Sequence, residues 1–215
     1  MYDETIILIG PEGSGKSTIG KILAKTLSKE LYTLDRHRDE LYAPYGYDKD
    51  LAAKIYEEKG LWAFYQHWKT FEYKTVSHIL QNASQEGDQF YGKILDFGAG
   101  HSVFEDPQQL ENIEALIKPY ENVILVMPCE DVDEVVKIKK HGGAMSLASI
   151  SILWNIQAIR SLQSILFIQR TPQLRNVLKE RFGLSEERMQ QVYRLPQLRM
   201  LAPETLLRGL GRPSP

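Results

Sequence analysis

A glycine-rich stretch near the start of the chain constrains the fold more than any other feature. Residues 10–17 read GPEGSGKS and fill every fixed position of the pattern G-x-x-x-x-G-K-[ST]. An apolar segment from Thr5 to Ile9 precedes the glycines, and apolar residues recur at helical spacing after them. The sequence therefore predicts a strand, a phosphate-binding loop (the P-loop) and a helix in immediate succession.

Each residue type in the P-loop has a physical task. Glycines let backbone N–H groups point inward around a phosphate, and the start of the next helix adds a partial positive charge. Lys16 can reach the β- and γ-phosphates, and the Ser17 hydroxyl can hold Mg²⁺. We therefore expect ATP and Mg²⁺ as cofactors. The predicted nucleotide-binding residues are Gly10, Pro11, Glu12, Gly13, Ser14, Gly15, Lys16, Ser17 and Thr18.

Composition favours a single α/β domain with one sizeable core. The chain has 215 residues, of which 43% are hydrophobic and 25% are charged, and both fractions are close to the globular average. The formal net charge of −2 gives no support for a nucleic-acid partner. The uncharged stretch 142–159 contains serines, an asparagine and a glutamine, so we expect no membrane span there.

Two features favour a cytoplasmic location. Cys129 is the only cysteine and cannot form an internal disulfide, which agrees with a reducing compartment. The predicted first strand begins at the fifth residue, so we expect no signal peptide. The sequence contains no cysteine or histidine cluster of the kind that binds zinc.

Up to about residue 141, strand-like and helix-like segments alternate, with a long helical insertion after the second strand. Further strands are predicted at Leu31 to Leu34, Lys93 to Phe97 and Val123 to Met127, with Ser164 to Ile168 as a candidate fifth. This order predicts a P-loop three-layer α/β/α fold with a parallel sheet of four to five strands. Ligands of such sheets bind at the carboxyl ends of the strands, so Asp35, Asp96 and the 98–100 loop should lie on the P-loop's edge.

Several motifs together resemble those of one family. Besides the P-loop, the chain has Asp35 just after the second strand, the segment Trp68-Lys69-Thr70-Phe71-Glu72, and Gly98-Ala99-Gly100 after the third strand. The second motif is similar to Phe-Arg-x-x-Glu of the shikimate kinases, and the third stands where that family has three glycines. The chain thus resembles the shikimate kinases over about residues 4–140, within the wider group of nucleoside, nucleotide and gluconate kinases.

The resemblance implies a role for each motif. Lys16 and Asp35 would be catalytic, with Asp35 facing the hydroxyl of the acceptor, and Ser17 and Asp96 would hold Mg²⁺. The substrate-binding residues implied by the resemblance are Asp35, Lys69, Glu72, Gly98, Ala99 and Gly100. Lys69 replaces an arginine and cannot make the planar clamp that a guanidinium makes on a carboxylate, so shikimate itself is in question.

Each of these residues also has a structural interpretation that the sequence leaves open. Asp35 can cap a helix, and Asp96 can cap its own loop. Lys69 and Glu72, three residues apart on a helix, can form an exposed ion pair. His101, next to the glycine loop, can bond a substrate oxygen or the loop itself.

The chain changes character near residue 142. Residues 1–141 carry 14 Lys and 2 Arg against 24 acidic residues, a net charge of −8, whereas residues 142–215 carry 1 Lys and 9 Arg against 4 acidic residues, a net charge of +6. We therefore divide the chain into a kinase-like domain, 1–141, and a divergent or frameshifted segment, 142–215. In a neighbouring reading frame, residues 154–179 can encode a segment that resembles the family's fifth strand and the helix start after it.

Three functions remain open from sequence. The first is a small-molecule kinase that transfers the γ-phosphoryl group of MgATP to a metabolite hydroxyl. The second is a nucleoside or nucleotide kinase on the same fold, suggested by the aromatic residues of the helical insertion. The third is a nucleotide-binding protein with little catalysis, because no in-frame segment after residue 141 matches the family's lid.

Overall fold

The computed structural model describes residues 2–127 and 165–169, and it describes side-chain surroundings over residues 4–126. The strands are β1 (Tyr2–Ile9), β2 (Leu31–Thr33), β3 (Ile94–Asp96), β4 (Tyr120–Met127) and β5 (Ile165–Gln169). The helices are α1 (Lys16–Leu27), α2 (Arg38–Tyr42), α3 (Lys49–Asn82) and α4 (Pro107–Ile117). Short 3₁₀ turns lie at Leu34–Arg36, Ala43–Tyr45 and Gly100–Ser102.

The described strands form a single parallel sheet in the order β2-β3-β1-β4-β5. Asp96 at the end of β3 pairs with Leu8 on one side and with Thr33 on the other. The ends of β1, β2 and β3 are therefore level, and the loops that follow them open on one edge of the sheet. This arrangement confirms the predicted parallel sheet and places the predicted site residues on a common edge.

Helices cover both faces of this sheet. Alternate residues of β1 point to opposite faces, so Ile7 and Ile9 belong to one hydrophobic core while Ile6 and Leu8 belong to another. The larger core contains residues of α3 and α4, namely Val76, Ile79, Leu80, Ile113 and Ile117. The smaller core contains Ile19 and Leu23 of α1. These two cores make the three-layer α/β/α fold that the sequence predicted.

The strand boundaries differ slightly from those predicted. β1 and β4 each begin three residues earlier than predicted, at Tyr2 and Tyr120, because pairing between these two strands starts there. β2 ends at Thr33, because Leu34 already belongs to a 3₁₀ turn. β5 begins one residue later than predicted and pairs in parallel with β4 over its whole length.

The predicted helical insertion is α3, which is 34 residues long and contains one break. The Asp48 side chain caps its start by accepting hydrogen bonds from the backbone N–H groups of Asp50 and Leu51 at 2.8 and 3.0 Å. Gly60 has φ 80° and ψ −179°, a conformation essentially confined to glycine, so the helix is kinked there. Among the described residues, α3 and the other helices all fall short of the length and apolar character that a membrane span requires.

The proposed division at residue 142 stays a prediction, because residues 128–164 and 170–215 lie outside the described part of the chain. The same applies to the alternative reading frame and to the absent lid. In the reading frame of this sequence, Ile165–Gln169 adds a strand to the sheet formed by residues 2–127. That strand therefore belongs to the same folding unit as the P-loop.

Candidate active site

The P-loop adopts a conformation that depends on its glycines. Gly10, Gly13 and Gly15 have φ angles of 140°, 67° and 99°, which side-chain-bearing residues rarely adopt. A Cβ atom at Gly10 would also collide with the carbonyl oxygen of Val126 on β4. The loop therefore turns tightly at the end of β1 while it packs directly on the neighbouring strand.

The start of α1 fits a polyanion. Gly15 occupies the N-cap position, so no side chain caps the helix, and its first turn carries no acidic residue. The Ser14 hydroxyl is buried and has no hydrogen-bond partner among the described residues. An uncapped helix start beside a buried hydroxyl can donate hydrogen bonds to phosphate oxygens, so the residues present fit the triphosphate of a nucleotide.

Lys16 lies across the P-loop and is 7% exposed. Its ammonium group donates to the carbonyl oxygens of Gly10 and Pro11, at 2.7 and 2.9 Å. These contacts hold a positive charge inside the glycine loop, where the phosphates of a nucleotide would lie.

Ser17 at the start of α1 and Asp96 at the end of β3 bring a hydroxyl and a carboxylate together. Ser17 Oγ donates to Asp96 Oδ2 at 2.7 Å, although the two residues are 79 positions apart in the sequence. Burial raises the pKa of Asp96 above its ordinary value, and this effect outweighs the hydrogen bond from Ser17 and the positive charge of Lys16. This hydrogen bond therefore joins Asp96 to α1, and it does not cap the loop that follows β3.

This pair fits Mg²⁺. Oxygen donors are the ligands that Mg²⁺ prefers, and it commonly takes one or two from the protein and the rest from phosphates and water. Within the described residues, no cluster of three or more His, Cys, Asp or Glu side chains could hold a metal ion. A site built from Ser17 and Asp96 thus suits a metal that arrives with a nucleotide.

Asp35 lies in the 3₁₀ turn after β2, and its side chain is 46% exposed. Its Oδ1 accepts a hydrogen bond from Arg38 Nη2 at 2.7 Å. Neither this turn nor α2 has a side-chain cap, so the helix-cap interpretation of Asp35 is wrong. Thr33, at the end of β2, occupies the N-cap position before the turn. The Asp35 carboxylate instead pairs with Arg38 at the start of α2.

Lys69 and Glu72 form a buried ion pair, so the expectation of an exposed pair is wrong. Their side chains are 9% and 5% exposed, and Lys69 Nζ lies 2.6 Å from Glu72 Oε2. Lys69 also donates to the carbonyl oxygens of Gly100 and Val103, both at 2.6 Å. The pair is buried because this face of α3 packs against the 98–103 loop. One N–H donor of Lys69 bonds Glu72, and the other two bond that loop.

The 98–100 loop is shaped by two carboxylates. A Cβ atom at Gly98 would collide with the Asp35 carboxylate, and one at Gly100 would collide with the Glu72 carboxylate. Ala99 packs against the larger hydrophobic core. Glycine at 98 and 100 therefore lets the loop approach both carboxylates, while Ala99 anchors it.

Two residues beside Asp35, Arg38 and Tyr42, were not predicted as site residues from the sequence. Arg38 lies over the Trp68 ring at 4.5 Å, and Trp68 Nε1 donates to Glu72 Oε1 at 3.1 Å. Tyr42 is fully buried, and its hydroxyl lies 2.9 Å from His101 Nε2. Asp35 lies in the 3₁₀ turn and the other two residues lie in α2, so no helical period in the sequence links them.

His101 contacts Tyr42 and Asp35 rather than the backbone of its own loop. The side chain is completely buried, and Nδ1 lies 3.6 Å from Asp35 Oδ1. Burial lowers the pKa of His101 and outweighs the acidic groups of Glu72 and Asp35, so the ring is neutral near neutral pH.

The predicted site residues meet at one edge of the sheet, as expected from the strand order. They are the residues of the P-loop, Asp35, Asp96 and the 98–100 loop.

Comparison with known proteins finds similarity to shikimate kinases. A segment of 31 residues is 52% identical to the shikimate kinase of Marinomonas sp. (strain MWYL1). The chain is similar to shikimate kinases. The matched segment makes up 14% of this chain and 17% of that relative, so the chain covers about one-sixth of the curated relative it matches. No protein-family model matches the chain.

Two solved shikimate kinases are also similar. The enzyme from Acinetobacter baumannii in complex with shikimate is 16% identical, with a TM-score of 0.49, over 83% of this chain and 93% of that one. The enzyme from Aquifex aeolicus vf5 is 18% identical, with a TM-score of 0.45, over 83% of this chain and 96% of that one. The resemblance to shikimate kinases that the motifs predict is confirmed by the 31-residue segment, and the roles of individual residues stay predictions.

Proposed function

We propose that the protein is an ATP-dependent kinase that transfers the γ-phosphoryl group to a hydroxyl of a small metabolite. The observation that carries this proposal is the hydrogen bond between Ser17 and Asp96, which joins the P-loop to the end of β3. This hydrogen bond supports the proposal because a hydroxyl and a carboxylate, both oxygen donors of the kind that Mg²⁺ prefers, meet beside the P-loop, with Asp35 on the same edge of the sheet. The lone cysteine in the sequence favours the cytoplasm as the site of the reaction.

The proposed mechanism assigns one task to each group. Residues 10–18 bind the triphosphate through backbone N–H groups, and Lys16 neutralises charge on the β- and γ-phosphates. Ser17 and Asp96 hold Mg²⁺, which when bound offsets the negative charge of the phosphate oxygens. Asp35 orients the acceptor hydroxyl and accepts its proton while the oxygen forms a bond to the γ-phosphorus and the bond to ADP breaks.

The acceptor side of the site consists of Asp35 and the 98–100 loop. Lys69 and Glu72 contribute by holding that loop at Gly100 and Val103. Because the three N–H donors of Lys69 are directed to these internal acceptors, we propose that Lys69 does not grip a carboxylate of the acceptor. An acceptor other than shikimate is therefore compatible with this site.

A panel experiment tests the proposed function. Full-length protein is incubated with MgATP and single candidate acceptors, including shikimate, other hydroxyl metabolites and nucleosides, and ADP release is measured. We expect ADP release that depends on one class of hydroxyl metabolite. Release with nucleosides alone would favour the nucleoside-kinase alternative, and ATP binding without any turnover would favour the nucleotide-binding alternative.

Two variants separate nucleotide binding from catalysis. Lys16→Ala should weaken ATP binding and abolish most turnover, because it removes the charge held inside the P-loop. Asp35→Asn should leave ATP affinity unchanged and lower kcat by about 100-fold, because it removes the proton acceptor. Unchanged ATP affinity in Lys16→Ala, or unchanged kcat in Asp35→Asn, would contradict the proposed mechanism.

A further inference from the structure

The surroundings of Asp35 contain a closed set of polar contacts that the proposed mechanism does not use. Arg38 donates to Asp35 Oδ1 at 2.7 Å, and its positive charge also acts on Tyr42. The Tyr42 hydroxyl lies 2.9 Å from His101 Nε2, and His101 Nδ1 lies 3.6 Å from Asp35 Oδ1. These four side chains form a ring of contacts that begins and ends at one carboxylate oxygen, and we call them the Asp35 ring.

The position of Asp35 favours one direction for these hydrogen bonds. His101 Nδ1 faces the Asp35 carboxylate, which attracts an N–H and repels the lone pair of an unprotonated nitrogen. In a neutral ring with its proton on Nδ1, Nε2 is the acceptor of a hydrogen bond from the Tyr42 hydroxyl. The proton of the ring therefore belongs on Nδ1, on the side that faces Asp35.

Two further observations support this protonation state. His101 Nδ1 is buried and lacks a hydrogen-bond partner among the described residues, while the nearest acidic oxygen, at 3.6 Å, is Asp35 Oδ1. The charged groups that act on His101 are Glu72 and Lys69 from α3, Arg38 from α2 and Asp35 from the 3₁₀ turn, and they include both signs. A buried N–H without a partner is costly, so a small closing movement toward Asp35 is favourable.

We propose that His101 is a positioning residue for Asp35, an inference that rests on the proposed kinase function. Tyr42 holds His101 in its Nδ1–H form. Arg38 and the His101 Nδ1–H both act on Oδ1 of Asp35, so that Oδ2 is the oxygen that accepts the proton of the acceptor hydroxyl. The proton then leaves Oδ2 for solvent after ADP and the phosphorylated product have separated.

The kinetic arm of the test compares two amide substitutions at one position. In His101→Asn the side-chain N–H₂ replaces the Nδ1–H donor, whereas in His101→Gln it replaces the more distant Nε2. We expect kcat to fall about tenfold or more in His101→Gln and in Tyr42→Phe, with KM for ATP unchanged, and to fall less in His101→Asn. Equal losses in the Asn and Gln variants, or a change confined to KM for ATP, would overturn the proposal.

The spectroscopic arm does not depend on kinase activity. Nitrogen-15 NMR of the full-length protein distinguishes the two neutral forms of histidine, and the exposed His78 serves as a reference through His78→Asn. We expect His101 in the Nδ1–H form, a shift toward the Nε2–H form in Tyr42→Phe, and a changed Nδ1 signal in Asp35→Asn. An Nε2–H form in the unsubstituted protein would overturn the proposal.

The two arms separate failure of this inference from failure of the proposed function. If no acceptor supports ADP release, the kinase proposal and the catalytic purpose of the Asp35 ring both fail, while the NMR arm still decides the protonation state of His101. If the His101 variants do not fold, Tyr42→Phe and the unsubstituted protein supply the decisive measurements.

Discussion

At the scale of single residues, the P-loop was readable from sequence, whereas the surroundings of the acceptor site were not. Glycine, lysine and serine at fixed spacing predict a phosphate cradle because the backbone itself forms it. The burial of Lys69 depends on how α3 packs against a loop about 30 residues away, which no local pattern encodes. The contact between His101 and Asp35 has the same origin, since it joins two loops at neighbouring strand ends.

A buried neutral histidine makes the stability of the protein depend on pH. Burial holds the pKa of His101 below its ordinary value of 6.5, so the unfolded chain takes up a proton before the folded chain does as the pH falls. The free energy of unfolding should therefore decrease below about pH 6.5, by at most about 1.4 kcal/mol per pH unit from this group. Urea unfolding measured between about pH 7.5 and 5.5 tests this expectation.

Matched substitutions isolate the contribution of His101. In His101→Asn the decrease between the two pH values should be smaller than in the unsubstituted protein, because asparagine does not titrate. His78→Asn, the same change at an exposed position of α3, should leave the decrease unchanged. Parallel pH dependence in the His101→Asn and unsubstituted proteins would show that His101 does not carry the effect.

At the scale of elements, the alternation of strands and helices was predictable from the spacing of apolar residues. Alternating apolar residues predict a strand, and apolar residues three or four positions apart predict a helix. The break within α3 was not, since a single glycine in a helix is usually tolerated. The structure divides α3 by burial as well as by conformation. Ala52 is the buried residue before Gly60, whereas eight buried residues follow it, namely Phe64, Lys69, Phe71, Glu72, Thr75, Val76, Ile79 and Leu80.

The two parts of α3 should differ in stability against local opening. Segments with few buried apolar contacts open at lower free energy, so backbone amides of residues 49–59 should exchange hydrogen faster than those of residues 64–80. Hydrogen-exchange mass spectrometry measures both segments in one experiment. Equal protection of the two segments would contradict this expectation.

A substitution at the break provides the control for this measurement. Alanine cannot readily adopt the conformation of Gly60, and a Cβ atom there meets no neighbour within 4 Å. Gly60→Ala should therefore change exchange through the backbone alone, in residues 49–59, and leave residues 64–80 unchanged. A uniform change along α3 would mean that the helix opens as one unit.

At the scale of the whole molecule, the sheet order is the feature that assembles the site. β1 and β3 are neighbours although more than 80 residues separate them, and this places Ser17 beside Asp96. Residues 2–127 supply four strands of the sheet, and Ile165–Gln169 supplies the fifth. The change of composition at residue 142 was visible in the sequence, but its structural meaning was not, because composition does not specify pairing.

Removal of the second segment should show what it contributes to the sheet. A chain that ends at residue 141 lacks β5, so β4 loses the parallel partner that it pairs with from Val123 to Met127. We expect a lower Tm and more aggregation, because an unpaired strand edge is open to intermolecular pairing. Thermal unfolding and light scattering of the two chains test this expectation.

The result also bears on the alternative reading frame. A truncated chain as stable and as monodisperse as the full-length protein would show that residues 142–215 add nothing to the sheet. The coding DNA across residues 130–180 tests the frame directly, since it either permits or forbids the neighbouring reading. That interpretation stays a prediction until the DNA sequence is read.

The close fit between two glycines and two carboxylates limits which substitutions the protein can accept at these four positions. A side chain at position 98 needs the space of Asp35, and a side chain at position 100 needs the space of Glu72. Asp35 is half exposed and can turn aside, whereas Glu72 is fixed by Lys69 and Trp68. A side chain at position 100 therefore requires a change at position 72 as well, whereas a side chain at position 98 requires only that the Asp35 carboxylate move away from the orientation described above.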